Sequence, residues 1–364
     1  SAGCDIMEQN FYILKNGWLV RKHNTIYFIC KGENDKPSFS LEVDGEDEIT
    51  EPENISENPE YEKKIIPVEK IHTIFAIGRV SLTSGVLSYL SKYNVPLHFF
   101  GYYGYYEGTF WPKEKHLSGE IHIRQAEHYL NGNKRATLAR SFAIGSAHNI
   151  LRNLEYYLNE GNDLQNEIDM IRKCIDALER ETEISKILAG EGFIRQVYYS
   201  TFDKILDNKF RFDSRTRQPP ENPLNAMLSF GNSLLYGTVI TEIYHTQLDP
   251  TISYLHEPSE RRFSLALDIS EIFKPFFVDR IIFKLVNKNM IGDEHFVKEL
   301  NSCLLNDRGK RLFLEEWDQK LKVTIKHREL NRNVSYQRLV YLECLKLIKH
   351  ILNIKEYKPF VIWW

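Results

Sequence analysis

The period of the apolar pattern changes near residue 112, and no single class of secondary structure can satisfy both halves. From Phe11 to Pro112 the segments FYILKNG, WLVRKHNTIYFICKG, SFSLEV, KKIIPVEKIHTIFAIG and RVSLT are rich in aromatic and β-branched residues. Gly and Asn-Asp-Lys-Pro turns break them, as expected of strands on a half-buried pleated surface. SGVLSYLSKYN spaces its apolar residues for one short helix, VPLHFF returns to strand, and GYYGYYEGTFW reads as a hairpin punctuated by glycine. GYYGYYEG lacks the Lys-Ser/Thr step of a phosphate loop and is read as a turn.

From Lys113 onward apolar residues recur at three- and four-residue steps. RQAEHYLNGNKRATLARSFAIGSAHNILRNLEYYLN predicts two helices meeting near Gly132, and helix continues through AGEGFIRQVYYSTFDKIL. After a loop marked by Pro219 and Pro220, Asn222 and Pro223 form an N-cap and N1 pair. The helix they open, PLNAMLSFGNSLLYGTVITEIYHTQ, is apolar nearly all round and is expected to cross the middle of its domain. Gly231 and Gly237 within it predict close helix contacts or a kink. Further helix is expected from Ser264 to Ile354, followed by the apolar tail KPFVIWW. The expected fold class is α+β in two domains: a small, mainly antiparallel β domain over 7–112 and a larger all-α domain over 113–364. Residues 1–6, ahead of Met7, read as an expression remnant.

A chain of 364 residues gives each domain a full core. No run of about 18 apolar residues predicts a membrane span, and the N-terminus lacks the features of a secretory signal. Five cysteines without a CxxC pair argue against a zinc ribbon or disulfide framework and fit a reducing cytoplasm. The net charge of −3 hides an uneven distribution. Ten Asp and Glu, and no Lys or Arg, lie between 42 and 62, a stretch that reads as a solvated loop. The rest of the chain carries 47 basic against 40 acidic residues and is mildly basic.

Three separated segments offer hard metal ligands: Glu191 in AGEGFIRQVYYSTFD, His256 in SYLHEPSERRFSL, and Asp268 with Glu271 in LALDISEIFKP. Two carboxylates and an imidazole suit a small divalent cation such as Mg²⁺ or Mn²⁺. Asp268 and Glu271 share a helix face among Leu265, Leu267, Ile269 and Ile272, where charged groups need partners or a metal. Arg195 lies one turn after Glu191, able to brace it or to meet a phosphate.

With these residues in view, the chain resembles the CRISPR-associated integrase family, the endonuclease/integrase of spacer acquisition. EGFIRQVYYSTF resembles its glutamate-bearing helix, ENPLNAMLSFGNSLLYG its central helix, and YLHE with RFSLALDISEIFKPFFVD its histidine turn and acidic helix. LVRKHNTIYF, KIIPVEKI and LHFFGYYGYYEG resemble its β domain. The resemblance implies a metal-dependent DNA endonuclease/integrase in which Glu191, His256 and Glu271 are metal ligands and Asp268 is an accompanying acid. It also implies a homodimer, a small partner protein of the adaptation complex, and DNA substrates: duplex with single-stranded ends, and CRISPR repeat DNA. Two features depart from the family pattern: the long acidic loop at 42–62, and the basic residues Arg261 and Arg262, of which only Arg262 sits in the R-x-S-L frame.

The implied reaction is attack of a DNA 3′-hydroxyl on a phosphodiester, with water giving hydrolysis at the same site. His256 must be neutral to ligate, so acid is expected to weaken metal binding. DNA contacts are expected from scattered basic residues: first Arg262 and Arg217, then Arg195, Arg211, Arg215, Arg261, Lys274 and others in KLKVTIKHRELNRNVSYQR. Tyr198 is expected in the core. A competing reading is a non-catalytic DNA-binding scaffold with structural carboxylates. A helical di-metal redox protein would want duplicated Glu-x-x-His pairs, which the helical part does not offer.

Overall fold

A computed structural model describes residues 9–31, 61–207, 209–217, 219–259 and 262–364. The residues read as a remnant, the expected strand SFSLEV, nearly all of the acidic stretch 42–62, and Arg261 lie outside the described residues. The chain forms two compact units. The first runs to Lys115, and the second holds His116–Trp364 together with Tyr103–Tyr105.

The first unit contains two four-stranded sheets. One is ordered β1 (Gln9–Ile13), β5 (Ile71–Ala76), β7 (Leu97–Phe100), β8 (Tyr106–Phe110). The other is ordered β4 (Tyr61–Ile66), β3 (Thr25–Lys31), β2 (Gly17–Lys22), β6 (Val80–Leu82). Alternate residues such as Leu19, Ile26, Phe28, Ile74 and Leu97 point into one buried apolar cluster. Strand pairing corrects the expectation of a mainly antiparallel domain. β1 with β5, β5 with β7, and β2 with β6 are parallel, and the other three pairs are antiparallel. The physical reason is α1 (Ser84–Tyr93), which carries the chain back across the sheet so that β7 runs beside β5 in the same direction. Asn94, in the left-handed conformation at φ 55°, ends that helix.

The second unit is built on helices, as expected. α2 (Gly119–Leu130) and α3 (Gly132–Asn159) meet at Asn131, whose side chain accepts from the backbone N–H groups of Asn133 and Lys134. α4 (Gln165–Leu178), α5 (Ile184–Ser200) and the short α6 (Phe202–Ile205) follow. α7 (Pro223–Tyr244) begins at Asn222, whose side chain accepts from Asn225 N at 2.9 Å. Nineteen of its residues are buried, which makes it the axis of this unit. At Gly231 an added Cβ would lie 2.6 Å from Val278 and 2.9 Å from Phe313, so the close contact expected there is real.

α8 (Ser264–Lys274) runs into a π-helical turn, Pro275–Asp279, and then α9 (Arg280–Asn287). Pro275 lacks the N–H that an unbroken helix needs, and the turn widens there. Two asparagines of α3 cover carbonyls at this point. Asn149 donates to Ile272 O at 2.9 Å and Asn153 to Pro275 O at 2.9 Å. α10 (Asp307–Lys322) and α11 (Tyr336–Ile351) complete the helices. The all-α expectation misses two short hairpins: β9 (Phe296–Glu299) with β10 (Ser302–Leu305), and β11 (Thr324–Lys326) with β12 (Asn333–Ser335). Runs of three or four residues are too short for their period to register against the surrounding helix. The tail KPFVIWW is anchored on α3, since Asn149 accepts from Ile362 N and donates to Phe360 O.

Gly231→Ala is expected to lower stability by about 1–3 kcal/mol through overpacking. Denaturant unfolding checks this, and an unchanged midpoint would show that Val278 and Phe313 can give way.

Candidate metal centre

The site is organised by one buried carboxylate. Asp268, in the second turn of α8, is fully buried. Its Oδ2 accepts from Tyr254 N at 2.7 Å and Leu255 N at 3.1 Å. Its Oδ1 accepts from His256 N at 2.9 Å and pairs with His256 Nδ1 at 2.8 Å. Four donors on two oxygens satisfy a charge that burial would otherwise make costly. They wrap the 254–256 turn around the start of the helix. With Nδ1 bonded to Asp268, His256 keeps Nε2 available as a ligand or proton acceptor. α3 holds the turn from the other side. Arg135 donates to Tyr254 O at 3.0 Å and to Glu257 at 2.7 Å.

Glu271 lies one turn along α8, on the face it shares with Asp268. Arg195, on α5, donates to it through Nη2, and Lys274 pairs with its other oxygen at 2.5 Å. Arg195 Nε and Nη2 both reach Glu191 Oε1 at 3.3 Å, and Nη2 also reaches Ser146 Oγ at 3.2 Å. One guanidinium thus gathers the carboxylates of α5 and α8. The bracing role for Arg195 is what the geometry displays, and its side chain is only 11% exposed.

The charges act on one another. Burial and the neighbouring Glu271 push the Glu191 carboxyl up, against Arg195, Lys274 and His256. Burial also opposes ionisation of Glu271, but Lys274, Arg195 and His256 hold its carboxyl well below the usual range. The two carboxylates titrate as a pair, and the proton favours Glu191, whose cationic contacts are longer. Burial pushes the Lys274 ammonium down despite Glu271. Burial opposes protonation of His256, and the bond and charge of Asp268 more than offset it, so its pKa is raised. Glu191, His256 and Glu271 therefore share one electrostatic neighbourhood.

Among the described residues no three His, Cys, Asp or Glu side chains converge closely enough to hold one ion as they stand. Arg195 and Lys274 occupy the carboxylate oxygens there and supply the positive charge. The donor set itself fits a small hard cation, with carboxylate oxygens from Glu191 and Glu271 and the Nε2 of an imidazole oriented by a carboxylate.

The other expected residues are dispersed. Arg217 and Arg262 are exposed, and Arg262 packs over Phe263 with its guanidinium carbon 5.7 Å from the ring centre. Arg211 is exposed and paired with Asp213 at 3.1 Å. Arg215 is turned inward onto Asn225 Oδ1 and Ser229 Oγ, both at 3.0 Å. Tyr198 is fully buried, as a core residue should be. Sequence reasoning overlooked Ser146, Asn149, Asn153 and Asp279. Asp279 had a signal: it is a lone acid in the apolar run FKPFFVDRIIF, the criterion that singled out Asp268.

A family profile described as CRISPR associated protein Cas1 matches residues 11–319. The chain belongs to the Cas1 family. A Cas1 protein of Methanobrevibacter ruminantium is 48% identical over 98% of this chain and 99% of its own length. A Cas1 endonuclease of Methanothermobacter thermautotrophicus is 47% identical over all of this chain and 98% of its own length. Among solved structures, a Cas1 protein from Thermotoga maritima aligns with a TM-score of 0.79 at 36% identity, over 96% of this chain and 99% of that one. A casposase bound to an integration product shares the fold, with a TM-score of 0.77 at 20% identity, over 96% and 92%. This Cas1 family member is thus a CRISPR-associated endonuclease.

Burial raises the Asp279 carboxyl to about 6, against the pull of Arg195, Tyr198 and Lys274, with Glu271 adding to the rise. A carboxyl raised in the folded state favours folding below its unfolded pKa, and that advantage is lost as pH rises through about 6. Asp279→Asn is therefore expected to raise the melting temperature of the metal-free protein at pH 8 and to leave it unchanged near pH 4. Melting curves at the two pH values test this, and a loss at pH 8 would contradict it.

Proposed function

We propose that Glu191, His256 and Glu271 hold a divalent cation, Mg²⁺ or Mn²⁺, at which a DNA 3′-hydroxyl attacks a phosphodiester. The observation that carries the reading is the meeting of the α5 and α8 carboxylates on Arg195, beside a histidine whose Nδ1 is fixed by Asp268. Held by Glu191, His256 and Glu271, such a cation would supply Lewis acidity to lower the pKa of the attacking oxygen and to offset charge developing on the phosphate. Asp268 orients the imidazole through its bond to Nδ1, so that Nε2 is the nitrogen left to ligate. Arg195 keeps the two carboxylates together, and Lys274, a flexible point charge beside Glu271, is free to turn to the incoming phosphate. Replacing the 3′-hydroxyl by water gives hydrolysis with the same groups.

The proposed substrates are duplex DNA with single-stranded ends and the repeat DNA of a CRISPR array, engaged in the cytoplasm. Exposed Arg217 and Arg262 supply phosphate contacts. The chain acts as a homodimer with a small partner protein of the adaptation complex. Support for the partner comes from a solved Cas6-RT-Cas1–Cas2 complex, which contains this fold at a TM-score of 0.79 and 16% identity. Among the described residues no helix is long and apolar enough to cross a membrane.

Glu191→Ala, His256→Ala and Glu271→Ala are each expected to abolish strand transfer into supercoiled repeat DNA while the protein stays folded. Transfer at the unmodified level by any one variant removes that residue from the centre. Arg262→Ala and Arg217→Ala are expected to weaken DNA binding across sequences and to lower the slope of log K against log salt by about one each. Binding titrations at several salt concentrations read the slope, and an unaltered slope would show that the residue meets no phosphate.

A further inference from the structure

The centre holds a conflict of charge that the metal reading above makes acute. Glu191 and Glu271 are already covered by Arg195 and Lys274. A divalent cation on the same oxygens would face two positive groups at close range. Lys274 has a long flexible stem and can turn away. Arg195 stays charged at every accessible pH and is enclosed by the protein, so its charge must be matched inside.

The structure holds a match for it. Arg195 Nη1 is buried and has no hydrogen-bond partner. Asp279 Oδ2 is also buried and also has none. Such orphaned groups are few in a folded protein and call for an explanation. Here a donor and an acceptor of opposite charge, each unsatisfied, lie within electrostatic reach of one another. Asp279 closes the widened turn that Pro275 opens, and the side chains around it are secured. Asn153 donates to Tyr198 Oη at 3.0 Å, and Tyr198 in turn bonds to Asp279.

We propose that Asp279 is a second anchor for Arg195. The guanidinium rests on Glu191 and Glu271 while they are free, and turns its unused Nη1 edge onto Asp279 Oδ2 when those carboxylates take up a divalent cation. Asp279 is then a positioning residue. It touches neither metal nor DNA, and it sets metal affinity by receiving the displaced charge. The widened turn brings a carboxylate to this place, and the buried free oxygen is held in reserve for the loaded state.

The test is calorimetric titration of the full chain with Mn²⁺ alone, without DNA. Asp279→Asn keeps the shape and removes the charge, and is expected to weaken Mn²⁺ binding about 10- to 100-fold, the range for groups that support metal ligands. Asp279→Ser serves if the asparagine variant does not fold. The deciding arm is the Arg195→Gln background, in which no guanidinium needs a second anchor. There Asp279→Asn is expected to change affinity by less than about twofold, the scatter expected of uncoupled sites. An unchanged affinity in Asp279→Asn overturns the proposal. The same loss with and without Arg195 also overturns it, because that pattern is a plain loss of negative charge near the ion. An unmodified chain that binds no Mn²⁺ overturns the metal reading itself, and the proposal with it.

Discussion

A carboxylate cannot stay ionised in an apolar interior unless donors are brought to it, and the organisation of this centre follows from how Asp268 meets that requirement. Three backbone N–H groups and one imidazole nitrogen converge on it. Satisfying the charge folds the 254–256 turn over the start of α8, and the same bonds select which nitrogen His256 presents. The stability of the turn and the chemistry of the histidine are therefore one interaction. Removing either partner would leave the other unmatched in a place where water cannot replace it.

The same rule governs the second tier of charges. Glu191 and Glu271 come from helices far apart in sequence, and two buried carboxylates side by side repel. Arg195 makes the arrangement tolerable by lying across both, with Lys274 on the free oxygen of Glu271. The protein thus carries its own counter-charge where a divalent cation would bind. A site built this way keeps its ligands together without metal, at the cost of having to relocate a guanidinium when metal arrives. Asp279 and the asparagines of α3 lie at the place where that relocation would occur.

Much of the architecture was legible because it rests on local rules. The change of period near residue 112, the Asn222–Pro223 helix start and the all-round apolar character of α7 each follow from neighbours in the chain, and the structure reproduces them. What escaped depends on partners distant in sequence. The mixed pairing of the N-terminal sheets is set by which strand α1 delivers β7 to, and local alternation is the same for parallel and antiparallel neighbours. The two hairpins inside the helical unit are stabilised by contacts of chain segments too short to show a period. At the centre, the acids on apolar faces were visible as anomalies. Arg195 as a bridge between Glu191 and Glu271 was half visible, since its spacing implied the first contact and nothing local implied the second.

The sequence by itself determined the inventory: which acids and which histidine are too polar for their surroundings, where helices start, and that a β unit precedes a helical one. These are matters of side-chain chemistry and of spacing along a regular backbone, and both are written in neighbouring residues. Only the tertiary structure decided the pairings, that Asp268 serves His256 and that Arg195 joins two helices, and it left an oxygen of Asp279 and a nitrogen of Arg195 buried without partners in one electrostatic neighbourhood. Electrostatic and hydrogen-bonded partnerships act over a few ångströms of space, and the chain must first be packed before distance in space replaces distance in sequence.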